Sequence, residues 1–376
     1  MFSLNKLFNH SKSQKQHKKT AQECDFEVLL QKSLEDYRSD VFSIGLLDCS
    51  SILELELEKQ DLVITAIKLT LELNFPASGE KAHIEDYLSD KLSLKVVLSL
   101  TCKLKEAAKI HQIKHVVLVA SGKGGVGKST TAVNLAASLK CEGAKVGILD
   151  ADIYGPSIPI LLGLEGEKPQ AKDEKTMLPF AKEGIKSQSI GFLVPAESAT
   201  VWRGPMASGA LSQLLNETDW GELDYLIVDM PPGTGDIQLT MSQKVPASGV
   251  VIITTPQDLA LADAQKGIAM FEKVKVPILG LIENMSHFIC GHCGNESYVF
   301  GQDGGKKMAH RYGVPLLAEI PLQLDIREYG EQGKMIAADM SSNIGEHYRK
   351  AARLVASQLY YQQINKDTVE IIITDD

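Results

Sequence analysis

From Val116 onward the chain alternates short, almost uninterrupted apolar runs with longer amphipathic ones. The apolar runs are VVLVA (116–120), KVGILD (145–150), DYLIVDM (224–230), GVVIITT (249–255), PILGLIEN (277–284) and PLLAEIP (315–321). Strands that read as continuous Val, Ile and Leu are buried on both faces, as in a mostly parallel sheet; a sheet with one wet face would alternate apolar and polar positions. Each run is followed by a Gly-rich or polar loop and a helix-length segment. Residues 115–376 are therefore expected to form a doubly wound α/β domain, with ligands at the carboxyl ends of its strands.

Upstream the pattern changes. FEVLLQKSLEDY (26–37) and KAHIEDYLSDKL (81–92) have helical spacing, and between them SILELELEK (51–59) and LVITAIKLTLEL (62–73) read as strands. Residues 26–102 are expected to be a small α+β domain, joined to the second domain by a polar linker over 103–114. Residues 1–25, rich in Lys, Ser and Gln, predict a disordered basic tail. Phe2, Leu4, Leu7 and Phe8 hint at an amphipathic turn, yet the composition favours a solvated tail, and the arginines of a transit peptide are missing.

Composition then narrows the field. With 44% apolar residues the chain can bury a sizeable core, and a net charge of −9, from 48 acidic and 39 basic side chains, argues against a general nucleic-acid binder. No apolar run approaches the roughly 18–20 residues needed to span a bilayer, and no secretory signal is visible, so a soluble cytoplasmic protein is expected. Cys24, Cys49, Cys102 and Cys141 are scattered singly and read as ordinary core or surface residues.

Directly after VVLVA comes SGKGGVGKSTT, which satisfies G-x-x-x-x-G-K-[ST] from Gly122 to Ser129 and leads into the helical run AVNLAASLK. Gly122, Lys123, Gly124, Gly125, Val126, Gly127, Lys128, Ser129 and Thr130 form the expected phosphate cradle. Its backbone N–H groups turn onto the phosphates, Lys128 reaches the β and γ phosphates of ATP, and Ser129 ligates Mg²⁺. Asp229, at the end of DYLIVD, takes the strand-end carboxylate role that holds Mg²⁺ through water. Pro231, Pro232 and Gly233 read as a stiff loop beside the γ-phosphate.

A second chemistry lies in FICGHCGN, where Cys290 and Cys293 are two residues apart with His292 between them. Zinc and iron–sulfur sites usually take four protein ligands, and this loop offers two thiols. The spacing alone leaves a zinc site, a cluster site and a redox pair open. A redox pair wants its first cysteine at a helix N-terminus after a strand, and this one follows ENMSHFI in a loop.

The early lysine in KGGVGKST, Lys123, resembles the deviant Walker A group of MinD, ParA and Mrp-type ATPases, in which that lysine reaches the nucleotide of a partner subunit. More specifically, LDADIYGPSIP, WRGPM, VDMPPGTGD, ENMS and CGHCG, in this order over roughly Val116 to Leu359, resemble the Mrp (ApbC) family of iron–sulfur cluster carrier ATPases. The resemblance implies a deviant P-loop NTPase that forms an ATP-dependent homodimer. It further implies a labile [4Fe–4S] cluster shared by Cys290 and Cys293 of both chains, transfer of that cluster to apo iron–sulfur proteins, and ATP hydrolysis as the switch. It casts Lys123 and Lys128 as charge stabilisers and Asp152 as the group that orients water. Asp150 supports the switch, and Asn284 is the amide that recognises adenine. Arg203 in WRGPM stays outside the core site.

The N-terminal region resembles the small domain often fused ahead of such ATPases. Ser78 stands where that domain's turn carries a cysteine and its acidic D-P-E-like start is absent, which points to a docking or structural role. Two other function classes compete. One is a MinD- or ParA-like positioning ATPase on membrane or DNA, which the acidic, strand-like ending NKDTVEIIITDD fits poorly. The other is a zinc-bridged regulatory dimer.

Overall fold

The computed structural model describes residues 21–60, 63–104, 112–194 and 204–367. It divides the chain into two compact units, Met1–Lys105 and Glu106–Asp376.

The first unit begins with α1 (Ala21–Asp36), which starts inside the segment expected to be a tail; residues 1–20 of that segment lie outside the described part. Then come β1 (Ser50–Gln60), β2 (Val63–Leu73), α2 (Lys81–Leu92) and β3 (Lys95–Cys102). Leu30, Leu34 and Tyr37 recur along α1 and its end, and Ile84, Leu88 and Leu92 along α2, at the three- and four-residue spacing that puts them on one buried face. In β2 the buried residues Ile67, Leu69, Leu71 and Leu73 alternate with Lys68, Thr70 and Glu72. The sheet order is β1-β2-β3, antiparallel then parallel. β3 was not among the strands expected. KVVLSLTC follows α2 after a two-residue turn at Ser93, whose left-handed backbone ends the helix, and it pairs in parallel with β2 from Ala66 to Leu73.

The second unit opens with β4 (Ile113–Ser121), so Ile113 and Lys114, read above as the end of a linker, start a strand. There follow α3 (Lys128–Cys141), β5 (Val146–Asp150), α4 (Ile158–Leu161), β6 (Phe180–Lys182), β7 (Ile185–Ser189), α5 (Gly204–Asn216), β8 (Leu223–Asp229), α6 (Asp236–Lys244) and β9 (Gly249–Thr254). The chain continues through α7 (Asp258–Lys273), β10 (Ile278–Ile289), β11 (Glu296–Ser297), α8 (Gly304–Tyr312), β12 (Leu316–Leu322), α9 (Leu324–Glu331) and α10 (Asn343–Asp367).

All six apolar runs are strands: β4, β5, β8, β9, β10 and β12. They pair in parallel, in the order β12-β10-β9-β4-β8-β5, and β7 adds a further parallel strand beside β5. Among the described residues the sheet has nine strands, with short antiparallel strands at two places, β6 on β7 and β11 on β10. Every residue of β5 and β9 is buried, and so is nearly all of β4 and β8, as expected for strands covered on both faces. α3 packs along β4, β5 and β8, and α7 along β4, β9 and β10. The doubly wound, mostly parallel α/β architecture read from the apolar runs is therefore the architecture found.

Candidate functional site

The central strand β4 ends at Ser121, and after six intervening residues α3 starts at Lys128. The intervening loop needs glycine for two separate reasons. Gly125 and Gly127 have φ of +79° and +83°, a region that L side chains enter at a cost. Gly122, by contrast, presses against the backbone of α7: an added Cβ would lie 2.2 Å from the carbonyl carbon of Asp263. Val126 is buried and anchors the loop. The result is a strand, a glycine turn and a helix N-terminus, which present backbone N–H groups to an anion.

Charged groups converge at the strand ends beside this loop. Asp150 ends β5 and Asp229 ends β8, and the two are register partners in the β5–β8 ladder. Lys128, itself buried, donates to Asp229 Oδ1 at 2.6 Å, lies 3.9 Å from Asp152 Oδ2, and donates to Ser129 Oγ at 3.3 Å. One carboxylate oxygen, Asp229 Oδ2, is fully buried without a hydrogen-bond partner. An orphaned buried acceptor costs stability. The buried Asp229 carboxylate lies beside the Ser129 hydroxyl, and an oxygen-seeking cation such as Mg²⁺ fits this donor set.

The three carboxylates differ in duty. Burial, with the neighbouring Asp229 charge adding to it, pushes Asp150 up to about 7. Its oxygens are spent on the fold: Oδ1 accepts from the Asp152 backbone N–H at 3.0 Å, and Oδ2 accepts from Ile158 N–H at 3.1 Å and Ser189 Oγ at 3.0 Å. Asp150 thus braces the loop that carries Asp152, in keeping with a supporting role. Burial raises Asp152 as well, against the pull of Lys128. Asp229 is raised by burial while the Lys128 ammonium opposes the shift. On the other side of the cradle, Gly233 N–H donates to Ser121 O at 2.9 Å, which ties the Pro231–Pro232–Gly233 loop to the end of β4.

Lys123 and Asn284 both make contacts within their own chain. Lys123 donates to Gln257 Oε1 of its own chain, at 3.2 Å, just before α7. Asn284 turns its Nδ2 onto Val126 O at 2.8 Å, so its amide holds the phosphate loop from behind. Gln257, Ser189 and Ser121 were not foreseen. Each partners a motif residue through space, and only a polar side chain at a strand end, as in Ser189, carries any sequence signal. Arg203 lies outside the described residues.

The cysteines occupy a separate place at the far end of β10. Cys290 follows the last residue of the strand, and the chain turns back at once: Gly294 N–H donates to Cys290 O at 2.8 Å and Cys290 N–H to Asn295 O at 3.0 Å. β11 then pairs with Phe288 and Ile289. Gly294 takes the left-handed conformation that the turn requires, with φ of +72°. The backbone N–H groups of His292 and then Cys293 donate to the Cys290 sulfur and hold its thiol below the usual range, favouring the thiolate that binds metal. Cys293 is exposed. Among the described residues, no three His, Cys, Asp or Glu come together to hold a metal ion.

Residues 112–356 match the family model described as the NUBPL iron-transfer P-loop NTPase, of the ParA group. The chain belongs to this family. Its relatives include the iron-sulfur cluster carrier protein of Escherichia coli K12, 53% identical over 292 residues that cover 77% of this chain and 79% of that one. The iron-sulfur cluster transfer protein NUBPL of Mus musculus is 48% identical over 252 residues, 66% of this chain and 78% of that one. Among solved structures, a nucleotide-binding protein from Archaeoglobus fulgidus in complex with ADP superimposes with a TM-score of 0.56 at 39% identity, over 63% of this chain and 93% of its own. The cell division ATPase MinD of Pyrococcus furiosus, at TM-score 0.50 and 21% identity, shares the fold over 64% of this chain. Membership in an iron-transfer P-loop NTPase family agrees with the Mrp-type resemblance. Among the described residues no helix is long and apolar enough to cross a membrane.

Proposed function

We propose that this protein is an ATP-dependent iron–sulfur cluster carrier. Two chains close on ATP and share one labile [4Fe–4S] cluster through Cys290 and Cys293 of each, for delivery to apo iron–sulfur proteins in the cytoplasm. The observation that carries this reading is the half-site on the β10–β11 turn: two thiols, one of them biased toward thiolate, with no further ligand beside them among the described residues. A second copy related by two-fold symmetry supplies the other pair, since an isologous contact brings identical residues together.

In the nucleotide site, Ser129 and Asp229 would hold Mg²⁺, whose charge would offset that of the phosphates. Lys128 leaves its resting contact with Asp229 for the phosphate oxygens. A water positioned by Asp152 attacks the γ-phosphorus, the bond to the bridging oxygen breaks, and inorganic phosphate and ADP leave. Lys123, parked on Gln257 in the free chain, is the residue available to reach the partner's nucleotide. That contact exists only in the closed pair, so it gives ATP the differential affinity needed to drive closure.

Anaerobic reconstitution with iron and sulfide, followed by visible absorption and metal analysis, tests the reading. The wild-type chain should turn brown and transfer iron and sulfide to an apoprotein. Stoichiometric zinc without transferable iron would replace the carrier by a zinc-bridged dimer. ATP-dependent pelleting with liposomes or DNA that survives loss of both cysteines would favour a positioning ATPase.

A further inference from the structure

β10 carries a nucleotide-site residue and a cysteine on one strand, Asn284 within it and Cys290 directly after it. The strand is not continuous in its pairing. Its ladder with β9 ends at Glu283↔Thr254. Against β12 the register slips between Asn284↔Ile320 and Phe288↔Leu322, so four steps on β10 oppose two on β12. Within the slip Met285 has φ of +55°, left-handed backbone for a side chain that gains nothing there. Ser286 Oγ bridges the gap by donating to Ile320 O at 3.2 Å. Below this bulge the strand is fixed to the phosphate loop through Asn284 and Val126, and above it Phe288 and Ile289 form the cysteine hairpin with β11.

We infer that the Asn284–Met285 bulge links nucleotide occupancy to the placement of Cys290 and Cys293, with Asn284 a positioning residue that senses the phosphate loop and Met285 the joint that yields. Strained backbone persists where its surroundings over-determine it, and here the two ties are Asn284 to Val126 and Ser286 to Ile320. When the loop tightens on phosphates, the Val126 carbonyl moves and Asn284 follows. The bulge is the one irregular step between Asn284 and the hairpin, so the displacement is taken up there, as at a hinge. This deepens the carrier reading, because it states how ATP alters the site that holds the cluster.

The test uses the full-length, metal-free protein. Alkylation of Cys290 and Cys293 by iodoacetamide is followed by peptide mass, with and without saturating ATP or GTP and Mg²⁺, while sedimentation reports assembly in the same samples. In the wild type, ATP should change the alkylation rate by about fivefold or more. Asn284→Leu, which removes the amide donor without adding charge, should bind ATP and GTP more weakly by one common factor and, at saturation, assemble without the thiol response. Met285→Gly accepts the left-handed backbone freely and stabilises the resting geometry. The ATP concentration for half-maximal response should therefore rise by about tenfold. Met285→Ile, whose branched side chain resists that backbone, should lower it, and both Met285 variants should keep wild-type ATP turnover.

Opposite shifts from the two Met285 changes are something a merely structural residue would not produce. The inference fails if wild-type thiols ignore ATP, if Asn284→Leu responds as the wild type, if the response tracks assembly alone in every variant, or if Asn284→Leu weakens ATP but not GTP. The last result would return Asn284 to base recognition. Iron reconstitution of the same proteins separates the two claims: iron held across a pair of chains whose thiols ignore ATP defeats only the link, and responsive thiols that hold no iron defeat only the carrier reading.

Discussion

The nucleotide cradle and the cysteine hairpin lie on the same sheet but are built in opposite ways. In the cradle the buried charges are paired within one chain: Lys128 is buried between Asp229 and Asp152, Asp150 is hydrogen-bonded on both oxygens, and the glycine loop is fitted against α7 and Asn284. The hairpin offers two thiols on a turn, with Cys293 exposed and Cys290 half-buried. Groups that the core must solvate are paired within the fold because leaving a buried charge alone costs several kcal/mol, about 3–5 when one partner of a buried pair is removed. Exposed thiols carry no such cost, and in the proposed reading their ligand set is completed by assembly. Changes in the cradle should therefore disturb folding and binding together, and changes in the hairpin should remove metal and nothing else.

The largest effect expected is from Cys290→Ser combined with Cys293→Ser. Iron and sulfide uptake should vanish, while ATP affinity stays within about twofold and thermal stability within the roughly 0.5 kcal/mol usual for surface changes. Metal analysis, nucleotide titration and calorimetry on one preparation check all three, and a large loss of stability would break the contrast. Next is Lys128→Ala. It removes the charged donor to the phosphates and leaves Asp229 uncompensated, so ATP binding should fall by about a hundredfold or more, with a measurable drop in melting temperature. Iron uptake should persist.

Asp152→Ala should spare ATP binding and slow turnover by about a hundredfold, the scale of a lost positioned catalytic group. Equal loss of binding in both variants would merge roles that the geometry separates, since Lys128 contacts Asp229 directly and Asp152 stands 3.9 Å off. The most gradual effect is on pH dependence. Burial raises Asp150 from 3.8 to about 7, so the folded state binds its proton more tightly than the unfolded chain does. Its contribution to stability is complete below pH 3.8 and is lost as pH rises toward 7, with a slope of at most about 1.4 kcal/mol per pH unit for one proton. Asp150→Asn should flatten that slope in denaturant titrations at a series of pH values.

The same contrast governs what was legible in the sequence. The six parallel strands could be read because each is a short apolar run buried on both faces, and the phosphate loop because its glycines and lysine have a fixed spacing between strand and helix. The cysteine pair stood out for the same reason, by its two-residue spacing. Less visible were elements whose residues take their structure from a partner. β6 and β7 form a polar hairpin, FAK-EG-IKSQS, in which Glu183 and Gly184 both have positive φ; the two-residue turn that ends in Gly184 was the available clue. β11 is two exposed residues that become a strand only because the cysteine turn folds them back on Phe288 and Ile289. The contacts of Lys123 with Gln257 and of Asn284 with Val126 join residues far apart in sequence, and neither pairing has a local signal. The twist at Met285 is invisible for a related reason: ENMS reads as the end of an apolar strand, and the register slip against β12 is set by tertiary pairing.

Whether the metal site needs two chains is decided most directly by measuring molar mass and iron content together on freshly reconstituted protein, by light scattering across a size-exclusion peak. The account predicts that iron travels with the dimer, one cluster for every two chains, and that Cys290→Ser with Cys293→Ser leaves the peak without iron. A monomer that keeps its full complement of iron would contradict it.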